Sequence, residues 1–227
     1  MTSAAAYEIR SLLHAYNGKP VLDIPQLEIQ EGEICILSGP NGSGKTTMLT
    51  VLALLRQPTS GSVRLRGVEA VGGRGHARLR RQVTLIHQKP FLFSATVWGN
   101  VSYGLRALGR PPKEIKARVG AVLEELGLLH LAEKPAGELS GGEAQRVVLA
   151  RGLVLETPIL LLDEPSSFLD ESFRPLLFDM LRRANQTRAA TIVVATHDPR
   201  LESAIAQRVI ILEGGKIRAV ESARGTE

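Results

Sequence analysis

The sequence predicts an α/β protein in which antiparallel strands come first and a helical segment is inserted between later strands. Three apolar runs have the length and composition of buried strands: 34–37, 159–162 and 191–195. Residues 7–29 show the imperfect alternation that is typical of antiparallel strands. No strand interrupts residues 90–139, which contain three helical patterns: about 96–108, 113–126 and 128–134. The fold class is therefore α/β with a helical insert.

The chain of 227 residues is expected to form one domain, 1–227, because 44% hydrophobic and 22% charged residues are typical of a soluble protein with a sizeable core. Its sheet part would comprise 1–89 and 138–227, and its helical subdomain about 90–137. No apolar run approaches the roughly 18 residues that a membrane-spanning helix needs. We therefore expect the chain to stay in the cytoplasm.

One stretch after the first buried strand has the pattern of a phosphate-binding loop. Residues 39–47 read GPNGSGKTT and fit G-x-x-x-x-G-K-[ST], with a helical pattern following directly. Glycines allow successive N–H groups to approach phosphate oxygens at the positive end of that helix. Lys45 would reach the β and γ phosphates, and the Thr46 hydroxyl would ligate Mg²⁺. The residues expected to contact the phosphates are Gly39, Pro40, Asn41, Gly42, Ser43, Gly44, Lys45, Thr46 and Thr47.

Two adjacent carboxylates, Asp163 and Glu164, follow the apolar run 159–162. Carboxylates at the end of a buried strand are costly unless a cation meets them. We expect Asp163 to ligate Mg²⁺ and Glu164 to orient and polarise a water molecule. An N-cap role for this pair is the alternative.

Further polar residues stand at positions where an open α/β sheet binds its ligand. Gln88 follows a short strand and is a candidate for contact with Mg²⁺ or water, although it could be an ordinary loop residue. His197 follows the run 191–195 and could contact the γ-phosphate or simply lie in a loop. Tyr16 precedes a turn and either ends a strand or stacks on a base.

The residues Leu-Ser-Gly-Gly-Glu at 139–143 open a helix. Ser140 and Glu143 have the spacing of a capping box, which explains both without a functional role. That explanation leaves Gly141 and Gly142 unaccounted for. Because they expose N–H groups at a helix N-terminus, they indicate a second anion site.

The formal net charge is +5 and the pI about 9.7, but aromatic residues make up only 4% of the chain. We attribute the charge mainly to solvated surface, because few aromatic rings are available for base stacking. Nucleic acid is therefore not an expected partner. The densest basic cluster is Arg74, Arg78, Arg80 and Arg81. Four aromatic residues could be core or form a groove for a partner helix: Phe91, Phe93, Trp98 and Tyr103.

Together these motifs resemble the nucleotide-binding subunit of ABC transporters. The resemblance covers nearly the whole chain, and Leu-Ser-Gly-Gly-Glu at 139–143 is its most specific part. It implies a RecA-like P-loop NTPase core with an N-terminal antiparallel β-subdomain and an inserted α-helical subdomain. It also implies an ATPase with ATP and Mg²⁺ as ligands, in which Gln88 takes part in the active site. Tyr16 matches the aromatic residue that stacks on adenine in this family.

The resemblance further implies two subunits that bind two ATP molecules head to tail. A physical reason supports this pairing, because the helix ends at Gly44 and Ser140 can clamp one γ-phosphate only if they come from different copies. Transmembrane permease subunits would dock near the segment after Gln88, holding the chain at the cytoplasmic face of the membrane. The segment 93–109 resembles importers of small oxyanions such as tungstate, molybdate or phosphate, which implies an external solute-binding protein.

His87 and Phe168 depart from the family's usual residues, but the site residues are intact and an active ATPase is expected. The alternative is a non-transport relative that acts on nucleic acid or ribosomes, and its only support is the basic pI. A plain phosphotransferase would leave residues 140–143 unexplained.

Overall fold

The computed structural model describes residues 4–70 and 76–222. Within these residues the chain forms ten strands and seven α-helices. The strands are β1 (Ala5–Tyr16), β2 (Lys19–Gln30), β3 (Ile34–Ser38), β4 (Ser60–Leu65), β5 (Val68–Glu69), β6 (Val83–Ile86), β7 (Ile159–Asp163), β8 (Thr191–Ala195), β9 (Arg208–Glu213) and β10 (Lys216–Ser222). The helices are α1 (Lys45–Leu52), α2 (His76–Arg80), α3 (Val97–Ala107), α4 (Pro112–Glu125), α5 (Gly141–Leu153), α6 (Arg174–Arg188) and α7 (Pro199–Ile205).

The N-terminal sheet has the strand order β2-β1-β4-β5 and is antiparallel. A two-residue turn joins β1 to β2, and Asn17 and Gly18 both take positive φ there, as this kind of hairpin turn requires. Buried residues alternate along β1 on either side of a break at Ser11, which takes a positive φ: Tyr7 and Ile9 are buried before it, and Leu12 and His14 after it. The prediction of antiparallel strands in 7–29 is therefore confirmed.

The second sheet has the order β10-β9-β3-β8-β7-β6. Its strands β3, β7, β8 and β9 run parallel, and β10 returns antiparallel to β9. Every residue of β7 and β8 is buried, as expected for parallel strands covered on both faces. Because β3, β7 and β8 are neighbours, their carboxyl ends meet at one edge of the sheet. The α/β prediction is confirmed, and that edge is the place where ligands of such sheets bind.

The chain divides into two compact units. One holds both sheets and comprises residues up to 85, Thr157–Glu164 and residues from 176. The other is helical and comprises Ile86–Glu156 and Pro165–Pro175. The helical unit is larger than the predicted insert at about 90–137, because α5 packs on α3 and belongs with it.

The prediction of a third helix in the insert, at 128–134, is wrong for an α-helix. Only a 3-10 turn forms there, at Leu129–Leu131. The turn is closed by bonds to the residue three positions back, such as Leu131 N–H to the Leu128 carbonyl. The Ala132 and Lys134 carbonyls accept from the first two N–H groups of α3 instead of continuing a helix. Across residues 4–70 and 76–222, no helix has both the length and the apolar character that a membrane crossing demands.

Candidate functional site

The phosphate loop connects β3 to α1 in the conformation that its glycines permit. Gly39, Gly42 and Gly44 take φ values of 138°, 79° and 104°. A Cβ on Gly39 would collide with the carbonyl oxygen of Leu212, so the loop needs glycine there for space as well as for conformation. The loop therefore places backbone N–H groups at the start of α1, where the helix dipole favours an anion.

Lys45 lies across this loop rather than pointing into solvent. The residue is 7% exposed, and its Nζ donates to the carbonyl oxygens of Gly39 at 2.7 Å and Pro40 at 3.0 Å. These two acceptors are neutral and leave the positive charge of the ammonium available to an anion. The loop thus combines oriented N–H groups with a fixed cation, which is the chemistry of a phosphate site.

Thr46 and Asp163 form the second part of the site. The Thr46 hydroxyl donates to Oδ2 of Asp163 at 2.8 Å, and Asp163 is 4% exposed at the end of β7. A hydroxyl and a carboxylate oxygen side by side are the hard donors that Mg²⁺ prefers. In the part of the chain that the structure describes, no group of three or more His, Cys, Asp and Glu residues could hold a metal. A cation here would therefore need further oxygens, such as those of phosphates.

Glu164 is held by residues at the end of β8. It is 6% exposed, takes a φ of 47°, and its backbone N–H donates to the carbonyl of Ala195 at 2.8 Å. Its Oε1 lies 2.7 Å from Nδ1 of His197, and its Oε2 accepts from the Thr196 hydroxyl at 3.3 Å. Since a carboxylate can only accept, Nδ1 of His197 carries the proton in this contact. The His197 side chain is 70% exposed and can reach a ligand.

Five residues predicted from the sequence thus lie in the sheet unit and make three separate contacts: Lys45 with the loop carbonyls, Thr46 with Asp163, and Glu164 with His197. No sequence motif predicts a role for Thr196. Its position directly before His197 was visible, but its contact with Glu164 depends on the pairing of β7 with β8.

Tyr16 ends β1 and is 37% exposed. The guanidinium of Arg56 lies 4.8 Å from the centre of its ring, and the His14 ring meets it edge-on at 4.9 Å. The ring is therefore fixed by its neighbours while part of it faces solvent. Stacking of a base on this ring stays a prediction.

The remaining predicted residues belong to the helical unit. Gln88 is exposed after β6. The Glu143 carboxylate accepts the Ser140 N–H at 2.7 Å, and this bond is the main cause that lowers the pKa of Glu143. The Ser140 hydroxyl accepts the Glu143 N–H at 3.3 Å. The capping box is therefore present. A Cβ on Gly141 would meet no atom within 4 Å, and one on Gly142 would have only ordinary contacts, so packing within the chain does not require either glycine.

Three of the four aromatic residues are exposed, so the core alternative is wrong for them. Phe91, Phe93 and Tyr103 are 70%, 37% and 56% exposed. Their rings form a continuous row, with centre distances of 6.0 Å and 4.7 Å, and Arg151 lies 5.0 Å over Phe93. We call Phe91, Phe93 and Tyr103 the aromatic row.

The basic cluster is only partly solvated surface. Arg78 and Arg81 are exposed, whereas Arg74 lies outside the described residues. Arg80 is half-buried and donates to the carbonyl oxygen of Val83 at 2.6 Å, and burial lowers the pKa of its guanidinium. The expectation of a solvated charge is therefore wrong for Arg80.

The ABC transporter family model matches residues 22–167, which is more than half of the chain. The sulfate/thiosulfate import ATP-binding protein CysA of Escherichia coli is 39% identical over 220 residues, covering 95% of this chain and 60% of that protein. The methionine import ATP-binding protein MetN of Carboxydothermus hydrogenoformans is 39% identical over 215 residues, covering 92% and 64%.

This chain therefore spans less than two thirds of the length of these relatives. Among solved structures, the dimeric post-hydrolysis state of the ATP-binding cassette MJ0796, bound to ADP and phosphate, has a TM-score of 0.89 at 29% identity, covering 96% of this chain and 99% of that one. The cbiO1 protein from Clostridium perfringens, part of an ABC transporter complex, has a TM-score of 0.85 at 29% identity, covering 97% and 90%. On these matches, the chain belongs to the ABC transporter family.

Proposed function

We propose that this chain is the ATP-binding and ATP-hydrolysing subunit of an ABC importer, which drives a solute through separate transmembrane permease subunits. The observation that carries the proposal is that the phosphate loop with Lys45, the Thr46–Asp163 pair and the Glu164–His197 pair all follow neighbouring parallel strands of one sheet. This arrangement combines an anion site, hard oxygen donors and a carboxylate beside a histidine. Hydrolysis of a phosphoanhydride by water needs these three elements.

Each of these residues has a separate task. The loop N–H groups and Lys45 bind the β and γ phosphates, and Thr46 and Asp163 hold Mg²⁺. The bound magnesium ion neutralises charge on the phosphate oxygens. Glu164 orients and polarises the attacking water, and His197 contacts the γ-phosphate. Gln88 contacts the metal or the water, and Tyr16 stacks on the adenine.

Residues 140–143 are proposed to complete the site of a second copy. Glycine at a helix start costs stability relative to alanine, and neither space nor φ in this chain requires Gly141. A ligand that approaches the backbone from outside would require it. The dimeric state of the MJ0796 cassette supports a dimer. Our proposal is that it is a head-to-tail homodimer with ATP between the copies.

The aromatic row is proposed as the docking surface for the permease. Exposed rings in a continuous row fit the apolar side of a partner helix, and they lie in the segment after Gln88. Through this contact the chain would be peripheral to the cytoplasmic face of the membrane. CysA is named for the import of sulfate and thiosulfate, and MetN for the import of methionine. Because sulfate is an oxyanion, a small oxyanion is our first choice of cargo, and an external solute-binding protein would deliver it.

The variant Glu164→Gln tests the hydrolytic function. We expect it to bind ATP as the wild type does, because the amide keeps the shape of the side chain. Turnover should fall about 100-fold or more, since an amide cannot activate water as a carboxylate does. The ATP-bound dimer should accumulate in size-exclusion chromatography. Unchanged Mg²⁺-dependent turnover would remove Glu164 from this role.

A further inference from the structure

The end of β8 carries a buried hydroxyl that has no role in the function proposed above. Thr196 is 1% exposed, and its Oγ1 lies 3.3 Å from Oε2 of Glu164 and 3.0 Å from the backbone nitrogen of Asp198. The Asp198 N–H can only donate, so the hydroxyl accepts from it. The hydroxyl proton is then directed to the carboxylate, which can only accept.

Glu164 needs such support because of its backbone. A φ of 47° places a residue with a Cβ in the left-handed region, a strained conformation that persists only when the surroundings hold it. Three consecutive residues hold it: the Ala195 carbonyl binds its N–H, and Thr196 and His197 bind its two carboxylate oxygens. The His197 side chain is 70% exposed and can turn toward a ligand, whereas Thr196 is enclosed. Thr196 is therefore the contact that stays when His197 moves.

We propose that Thr196 is a positioning residue that fixes the carboxylate of Glu164 for the activation of water. This role rests on the proposed ATP hydrolysis. Thr196 acts through Glu164, and it binds Oε2 by one hydrogen bond while Oε1 remains available to His197 and to water. Loss of the hydroxyl would let the carboxylate rotate about its terminal torsion, which is a soft degree of freedom.

The variant Thr196→Val removes the hydroxyl and keeps the shape of the side chain. We expect kcat to fall about 10-fold, which corresponds to about 1.4 kcal/mol, with the KM for ATP within about twofold of wild type. Thr196→Ser should retain most of the turnover because it keeps the hydroxyl. Equilibrium ATP binding should be unchanged in both variants, and the ATP-dependent dimer of Thr196→Val should persist longer than that of the wild type.

Thr157→Val is the matched control. Thr157 is 8% exposed at the opposite end of the neighbouring strand, and its hydroxyl is within 2.9 Å of both Thr84 Oγ1 and the Ile159 carbonyl oxygen. The same chemical change there should lower the melting temperature and leave kcat intact. An equal fall of kcat in both valine variants would assign the effect to stability and overturn the proposal.

A double-mutant cycle tests whether Thr196 acts through Glu164 or only on the segment that contains Thr196 itself. In the Glu164→Gln background, Thr196→Val should change the single-turnover rate less than twofold, because the carboxylate it positions is already gone. A further 10-fold fall there, or a serine variant as slow as the valine variant, would contradict the proposed role. If the wild type hydrolyses ATP and Thr196→Val is unaffected, only this inference fails. If the wild type hydrolyses no ATP, the proposed function fails with it.

Discussion

Asp163 and Glu164 are adjacent in sequence, but their neighbours give them different chemistry. Asp163 ends a buried strand and accepts from Thr46, whereas Glu164 takes a left-handed φ and turns toward the end of β8. One carboxylate is therefore placed beside the phosphate loop and the other beside a histidine. The left-handed conformation of Glu164 could not be predicted from the sequence, because neighbouring strands impose it.

Cys35 gives a prediction that depends on burial alone. It lies in β3 with 0% exposure, and burial raises the pKa of its thiol to about 12. Because the folded pKa is raised above the unfolded one, this thiol stabilises the fold below about pH 9, and the contribution is lost as the pH rises toward 12. At pH 8 the native protein should react with iodoacetamide at least about 100-fold more slowly than the urea-unfolded chain. Equal reaction rates of the native and the unfolded protein would show that β3 opens readily.

At the scale of single elements, α5 shows what a sequence pattern can and cannot decide. The capping box of Ser140 and Glu143 was readable, because both residues act within one turn of helix. The failure of the pattern at 128–134 was hidden, because the carbonyl oxygens of this segment accept from the start of α3, a contact that the sequence does not show. Local motifs were thus predictable, and contacts between distant strands, such as Thr196 with Glu164, were not.

Gly141→Ala tests whether α5 faces an external ligand. A Cβ there meets no atom within 4 Å, so the fold should keep its stability or gain up to about 1 kcal/mol from the better helix former. We expect hydrolysis to fall at least 10-fold, because the methyl group would enter the space of the partner's nucleotide. Gly120→Ala in α4 is the control, since a Cβ there also meets nothing within 4 Å. Its turnover should match the wild type, and an equal loss in both variants would contradict the assignment.

At the scale of the whole molecule, the sheet unit carries the phosphate loop and the ends of β7 and β8, and the helical unit carries α5 and the aromatic row. This division was partly predictable, because strand and helix patterns separate clearly along the chain. The extent of the helical unit could not be predicted, because the assignment of α5 to this unit depends on its packing with α3. The phosphate loop and the anion site proposed at the start of α5 thus lie on different units.

The aromatic row leads to a prediction about assembly. Phe91→Ser should abolish co-purification with the permease, because Phe91 is 70% exposed and supplies the most accessible ring of the row. The isolated subunit should hydrolyse ATP as before. Leu129→Ser removes another exposed apolar side chain, 47% exposed in the same unit, and should leave the complex intact. Loss of the complex in both variants would argue against a surface centred on the aromatic row.

The most direct test of the shared nucleotide site mixes two inactive variants. Lys45→Ala disables the phosphate loop, and Ser140→Arg disables the N-terminus of α5. If each site combines Lys45 of one copy with Ser140 of the other, a mixed dimer holds one intact site. An equal mixture should then recover up to about a quarter of wild-type hydrolysis, since half of randomly formed dimers are mixed. The shared site would be contradicted if no mixing ratio recovered ATP hydrolysis and the specific activity of the wild type stayed constant on dilution to the monomer.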